Sequence, residues 1–224
     1  MNGTFKPRLD TLPTAQQRLW PQLHPVAALG FVLYGGTAIA LRLGHRISVD
    51  FDFFSERSLD VKGLTAALPF LKQATVLQEQ ADSLTVLVEM ADEPSPVKLS
   101  FFGGIDFGRV GQPQHTEDGV LLVAALDDIL ATKLKVILQR IEAKDYRDIA
   151  AILAAGLRLA NGLSAAKALF GPAFQPSESL KALVYFQSGD LASLAAEEKR
   201  LLVEAVKTVG SLPRIDKVSA KLSD

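Results

Sequence analysis

Apolar and polar positions change their spacing along this chain, and each change predicts a different element. Residues 14–29 read as a helical lead-in broken by Pro21 and Pro25. Phe31–Tyr34 is an apolar run of strand length that stops at Gly35-Gly36. Thr37 is placed to cap a short helix over 38–43, which Gly44 closes. Over 48–53 polar and apolar residues alternate with period two, as a half-buried strand requires. A helix weakened by Gly63 and Pro69 follows over 59–71, then strands over 74–77, 83–90 and 97–102. The last two are joined by turn chemistry at Asp92, Pro94 and Pro96.

Beyond residue 102 the pattern shifts. Residues 103–119 are rich in glycine and polar side chains, which predicts a loop and a domain boundary, and 120–123 adds one strand. Over 127–142 the period becomes helical, with Leu130, Leu134, Ile137 and Ile141 on one face. Asp127 and Asp128 at its start suit the helix dipole. Further helices are predicted over 145–155, 164–170, 177–186 and 195–209. The expected fold class is α+β: a mixed β-sheet with flanking helices over 1–118, followed by an all-helical part over 119–224.

Composition narrows the function classes. The 24 basic and 25 acidic residues leave a net charge of −1, so no basic run marks a nucleic-acid or anionic-membrane binder. Any RNA site has to be a local surface assembled by folding. With no cysteine there is no disulfide framework, thiolate metal site or cysteine nucleophile. Residues 21–41 carry no formal charge and are long enough to suggest a membrane span, but Pro21, His24, Pro25 and Gly35-Gly36 interrupt them. No apolar stretch follows the N-terminal charges at once, so no signal peptide is expected. The expectation is a soluble, cytoplasmic protein with no membrane partner.

The richest chemistry lies between residues 31 and 54. On a strand, Asp50 and Asp52 share one face while Val49, Phe51 and Phe53 share the other. Paired carboxylates are unfavourable in a strand, and holding a hard divalent cation such as Mg²⁺ explains them. An amphipathic strand that happens to carry Asp twice explains them equally well when they are taken alone. The context adds weight: Gly35-Gly36 ends a strand and opens a helix, where backbone N–H groups can meet a phosphate.

Gly35-Gly36-Thr37-Ala38, followed by His45-Arg46-Ile47-Ser48-Val49-Asp50-Phe51-Asp52, resembles the Gly-Gly … Asp-x-Asp signature of the nucleotidyltransferase superfamily, and more narrowly the AbiEii/AbiGii toxin family. A second block, Leu130-Ala131-Thr132-Lys133-Leu134 and then Lys144-Asp145-Tyr146-Arg147-Asp148-Ile149, resembles the same family's helical segment. The resemblance covers roughly residues 25 to 155. It implies transfer of a nucleoside monophosphate from an NTP to an acceptor such as tRNA or another RNA, Mg²⁺ or Mn²⁺ as cofactor, and an antitoxin partner. Asp50 and Asp52 would then hold the metal, and Gly35, Gly36, Thr37, Arg46 and Ser48 the nucleotide. Lys133 would contact a phosphate, with Asp145 and Asp148 as metal ligand, base or orienting partner for Lys133.

One departure stands out. The superfamily often carries a third carboxylate on a later strand, and the matching strand here has Ser100, with Glu89, Asp106, Asp145 and Asp148 as candidate replacements. Other readings stay open. Lys144 and Asp148 are spaced for a helix-surface ion pair. Arg42 and Arg46 are candidates to pair with carboxylates. Trp20, Phe101, Phe102 and Phe107 are expected in the core, and His24, His45 and His115 lack companions at metal-ligand spacing. The rival functions are a catalytically weak nucleotide-binding module and a small-molecule nucleotidyltransferase of the antibiotic-modifying kind.

Overall fold

A computed structural model describes residues 3–223 and divides into two units, each discontinuous in sequence. The first comprises Met1–Gly108, Gln112–Ala124 and Ala220–Asp224. The described residues give it a mixed sheet of eight strands: β1 (Thr4–Phe5), β2 (Val32–Tyr34), β3 (Asp50–Phe54), β4 (Thr75–Gln80), β5 (Ser83–Val88), β6 (Val97–Phe102), β7 (Gln114–Thr116) and β8 (Leu122–Val123). Their order across the sheet is β1-β7-β8-β2-β3-β6-β5-β4. Strand β3 lies antiparallel to β2 and parallel to β6, so the strand bearing Asp50 and Asp52 is central. Helices α1 (Thr14–Leu19), α2 (Pro25–Ala28), α3 (Gly35–Leu43) and α4 (Val61–Ala67) complete the unit.

Alternation along β3 explains how it sits. Phe51 and Phe53 are fully buried; Phe53 stacks on Phe101 at 5.1 Å, while Phe51 tilts against Trp20 at 6.4 Å between centroids. Burying aromatic rings of this size is the main local driving force for placing that face inward. Asp50, Asp52 and Phe54 therefore face the other way and are half-buried. Phe102 and Phe107, expected in the core, are only half-buried and meet the Phe54 ring edge-on at 5.3 and 6.4 Å.

The uncharged stretch 21–41 is broken up as its prolines and glycines predict: a 3₁₀ turn, α2, β2 and the first two turns of α3, with Ala38–Leu41 fully buried. No single helix among the described residues is long and apolar enough to cross a membrane. Two short strands, β1 and β7, were not expected; neither exceeds three residues, too short for a periodic signal.

The second unit comprises Arg109–Gly111 and Ala125–Ser219. Its helices are α5 (Leu126–Val136), α6 (Ala143–Ala154), α7 (Leu159–Phe170), α8 (Pro176–Leu183) and α9 (Ala196–Lys207). Helices α5 and α7 pack closely because Gly162 has no side chain; a Cβ there would come within 2.5 Å of Leu130 Cδ2. Ser179 Oγ donates to the Leu134 carbonyl at 2.9 Å and ties α8 to α5. The helix predicted over 127–142 ends at Val136, and Ile141 lies beyond it, half exposed.

Candidate functional site

Helix α3 begins at Gly35, two residues before the expected cap at Thr37. Gly35 has φ +72°, a conformation open to glycine and strained for other residues. A Cβ at this position would meet Asp52 Oδ2 at 2.6 Å, so only glycine lets the start of α3 come this close to the carboxylate. The helix carries no side-chain cap and no acidic residue in its first turn. Its first N–H groups, those of Gly35, Gly36 and Thr37 among them, have no intrahelical acceptor and can bind an anion.

Thr37 does different work from a cap. Its Oγ1 donates to the Asp50 carbonyl and lies 2.8 Å from Ser48 Oγ. Because Thr37 spends its single proton on Asp50, Ser48 donates in the second bond. Both side chains are buried, and together they fix the entry of β3 to the first turn of α3. Arg46, half-buried in the same loop, donates to the Ile47 carbonyl at 3.0 Å. Arg42, weighed as a partner for a carboxylate, instead donates to Gln114 Oε1 at 2.6 Å and to the Val123 and Ala124 carbonyls. It lies over the Phe5 ring at 4.2 Å, and burial lowers its pKa to about 10. It is a staple between α3 and β7–β8.

On the far side of β3 from α3, Asp50 faces Lys98 of β6 and Asp52 faces Ser100. The Lys98 ammonium is 3.8 Å from Asp50 Oδ2, and Ser100 Oγ accepts from Thr85 Oγ1 of β5 at 3.4 Å. Among the described residues no three His, Cys, Asp or Glu side chains gather into a set that would hold a metal by themselves. Within the first unit, Glu89 and Asp106 do not complete a three-carboxylate set with Asp50 and Asp52. Two carboxylates still suit Mg²⁺, which keeps several waters and is usually held by one or two carboxylates together with substrate phosphates. The anion-binding start of α3 beside Asp52 is where those phosphates would enter.

Within the second unit the remaining predicted residues converge. Lys133 Nζ lies 2.6 Å from both Asp145 Oδ1 and Asp148 Oδ2, with both carboxylates fully buried. Of the uses open to Asp145 and Asp148, the geometry shows partnership with Lys133. Arg140, which sequence reasoning missed, donates from Nε to Asp145 Oδ2 at 2.9 Å and from Nη2 to Oδ1 at 3.2 Å. Burial pushes the Asp145 carboxyl up, but the Arg140 hydrogen bond and the charge and hydrogen bond of Lys133 outweigh it and hold it below the usual carboxylate range. Two cations thus balance two anions, as a buried cluster requires. Lys144 does not pair with Asp148; it bonds Glu142 at 2.8 Å on the surface.

A family model for the nucleotidyl transferase AbiEii toxin of type IV toxin–antitoxin systems matches residues 20–218. The chain belongs to this family. Among curated proteins, an uncharacterized protein of Aquifex aeolicus (strain VF5) is 32% identical over 133 residues, which is 57% of this chain and 61% of that protein. The match thus spans less than two thirds of the relative's length. Two solved structures share the fold of this AbiEii-family chain. One, from H. pylori and assigned as a nucleotidyltransferase, has a TM-score of 0.57 and 18% identity, covering 86% of this chain and 92% of that one. The other, the nucleotidyltransferase toxin MenT4 of Mycobacterium tuberculosis, has a TM-score of 0.54 and 13% identity, covering 88% and 92%.

Proposed function

We propose that this AbiEii-family chain transfers a nucleoside monophosphate from an NTP to an RNA acceptor, such as a tRNA end, and that a cognate antitoxin restrains it. The observation that carries the reading is the approach of Gly35 to Asp52, which sets an uncapped helix start against a carboxylate pair. Gly35, Gly36 and Thr37 bind the triphosphate through backbone N–H groups. Asp50 and Asp52 hold Mg²⁺ or Mn²⁺. When bound, that ion neutralises phosphate charge and orients the attacking hydroxyl. The acceptor oxygen forms a bond to the α-phosphorus, the bond from that phosphorus to the β-bridging oxygen breaks, pyrophosphate leaves, and the acceptor's proton passes to water. Ser48 and Arg46 support the loop that delivers β3. Lys133, its ammonium held between Asp145 and Asp148, is kept as the second unit's candidate phosphate contact.

A second reading, nucleotide binding without efficient turnover, is favoured by Ser100 standing opposite Asp52 where a third carboxylate would serve as base. The test is incubation of the pure protein with each labelled NTP and Mg²⁺, with total RNA in one reaction and an aminoglycoside in a parallel one. Label on RNA that disappears in Asp50→Asn and Asp52→Asn is the result expected. NTP binding without label transfer selects the second reading, and label on an aminoglycoside in place of RNA overturns both.

A further inference from the structure

We infer that the Asp50–Asp52 site takes one divalent cation, and that Lys98 supplies the positive charge a second cation would bring. This rests on the proposed nucleotidyl transfer at that pair. The sheet sets the layout: Tyr34, which leads into Gly35, is in register with Asp52 on one side of β3, and Lys98 and Ser100 face Asp50 and Asp52 on the other. The triphosphate side therefore lies toward α3, and the opposite side toward β6 and β5. On that opposite side the register places an ammonium and the hydroxyls of Ser100 and Thr85.

A two-metal centre holds its ions about 4 Å apart and needs further anionic ligands on the side of the second ion. Here Lys98 Nζ lies on that side, 3.8 Å from Asp50 Oδ2. A dication placed there would meet an ammonium in place of a carboxylate, and like charges at such separations repel strongly outside bulk water. No third acidic or histidine ligand is available among the described residues to offset that repulsion. Lysine is itself a point-charge partner for phosphate. Lys98 is half exposed, so its ammonium can reach an anionic acceptor or the transferring phosphoryl group from the β6 side.

The experiment counts Mn²⁺ by electron paramagnetic resonance and calorimetry on the full chain, with and without a non-hydrolysable NTP analogue. The expected result is one Mn²⁺ per chain, lost in Asp52→Asn. Lys98→Gln should tighten Mn²⁺ about five-fold without nucleotide, because a cation has been removed beside the site. Lys98→Glu should admit a second Mn²⁺, and Lys98→Arg should behave as the parent. Circular dichroism and thermal unfolding check that each variant folds. Two Mn²⁺ in the parent protein, or unchanged affinity in Lys98→Gln, overturns the inference while leaving nucleotidyl transfer intact. No bound Mn²⁺ sensitive to Asp52 overturns the underlying reading as well.

Discussion

Gly35 and Asp52 are in such close approach that a single methyl group on the glycine would lie 2.6 Å from the carboxylate oxygen. Gly35→Ala therefore combines backbone strain at φ +72° with a collision at the candidate site. Gly44→Ala is the matched control: its φ is +67°, but its Cβ would meet only the flexible Arg8 guanidinium. Both variants should lose about 1 kcal/mol or more of stability from the left-handed backbone. Only Gly35→Ala should also lose NTP binding, measured by calorimetry.

Removing the Lys133 ammonium takes away a cation that lies 2.6 Å from two fully buried carboxylates, Asp145 and Asp148. Lys133→Met is expected to destabilise the chain by about 3–5 kcal/mol, the usual consequence of breaking a buried ion pair from one side. Adding Asp148→Asn should restore part of that loss. Urea unfolding of the single and double variants reads both effects, and an equal or greater loss in the double variant would contradict the assignment.

Asp145 and Asp128 make opposite contributions to the pH profile. The Asp145 carboxyl is held below its unfolded value, so its stabilisation is complete above about pH 4 and fades as pH falls through the lower folded value. Asp128 is 1% exposed, and burial raises its pKa to about 6 despite N–H bonds from Val110 and Gly111. The folded state then holds that proton more tightly than the unfolded state, so stability declines from about pH 4 to 6 and is level above. With a shift of about two units, the decline is of order 3 kcal/mol. Urea midpoints taken from pH 4 to 7 should show it, and Asp128→Asn should flatten it.

Thr37→Val keeps the shape of the side chain but removes the donor to Asp50 and the acceptor for Ser48. Buried polar groups left without partners cost about 1–3 kcal/mol. Because those bonds align β3 with α3, Mn²⁺ affinity should fall together with stability. Ser48→Ala, which leaves the bond to Asp50 in place, should have the smaller effect on metal.

The face of β3, the strands β2 and β6 as separate runs, and the helix opened by Gly35-Gly36 were legible, because period-two alternation, apolar runs and a glycine pair are strong local signals. The early end of α5 was not. No glycine or proline lies between Asp127 and Ala155 to announce a break. The chain turns there because Lys133 and Arg140 both converge on Asp145, a tertiary constraint that spacing does not encode. Thr37 was misread as a cap for a related reason: its buried partners, Ser48 and Asp50, lie eleven and thirteen residues away. Lys98 could have been found by aligning the Val97–Phe102 strand against Asp50 and Asp52, since the parallel register sets it opposite Asp50.

The path of the backbone has a practical consequence. The chain passes between the two units at 108/109, 111/112, 124/125 and 219/220, so neither unit is one contiguous stretch. A gene fragment starting at Ala125 would omit Val110 and Gly111, whose N–H groups occupy the buried Asp128 carboxylate. A fragment ending at Ala124 would omit Leu222 and Ser223, which donate to Glu56. Each half made alone would lack part of itself. Separate expression of the halves therefore calls for grafting the missing segments, and a protease nick between them should yield two pieces that stay associated until denatured.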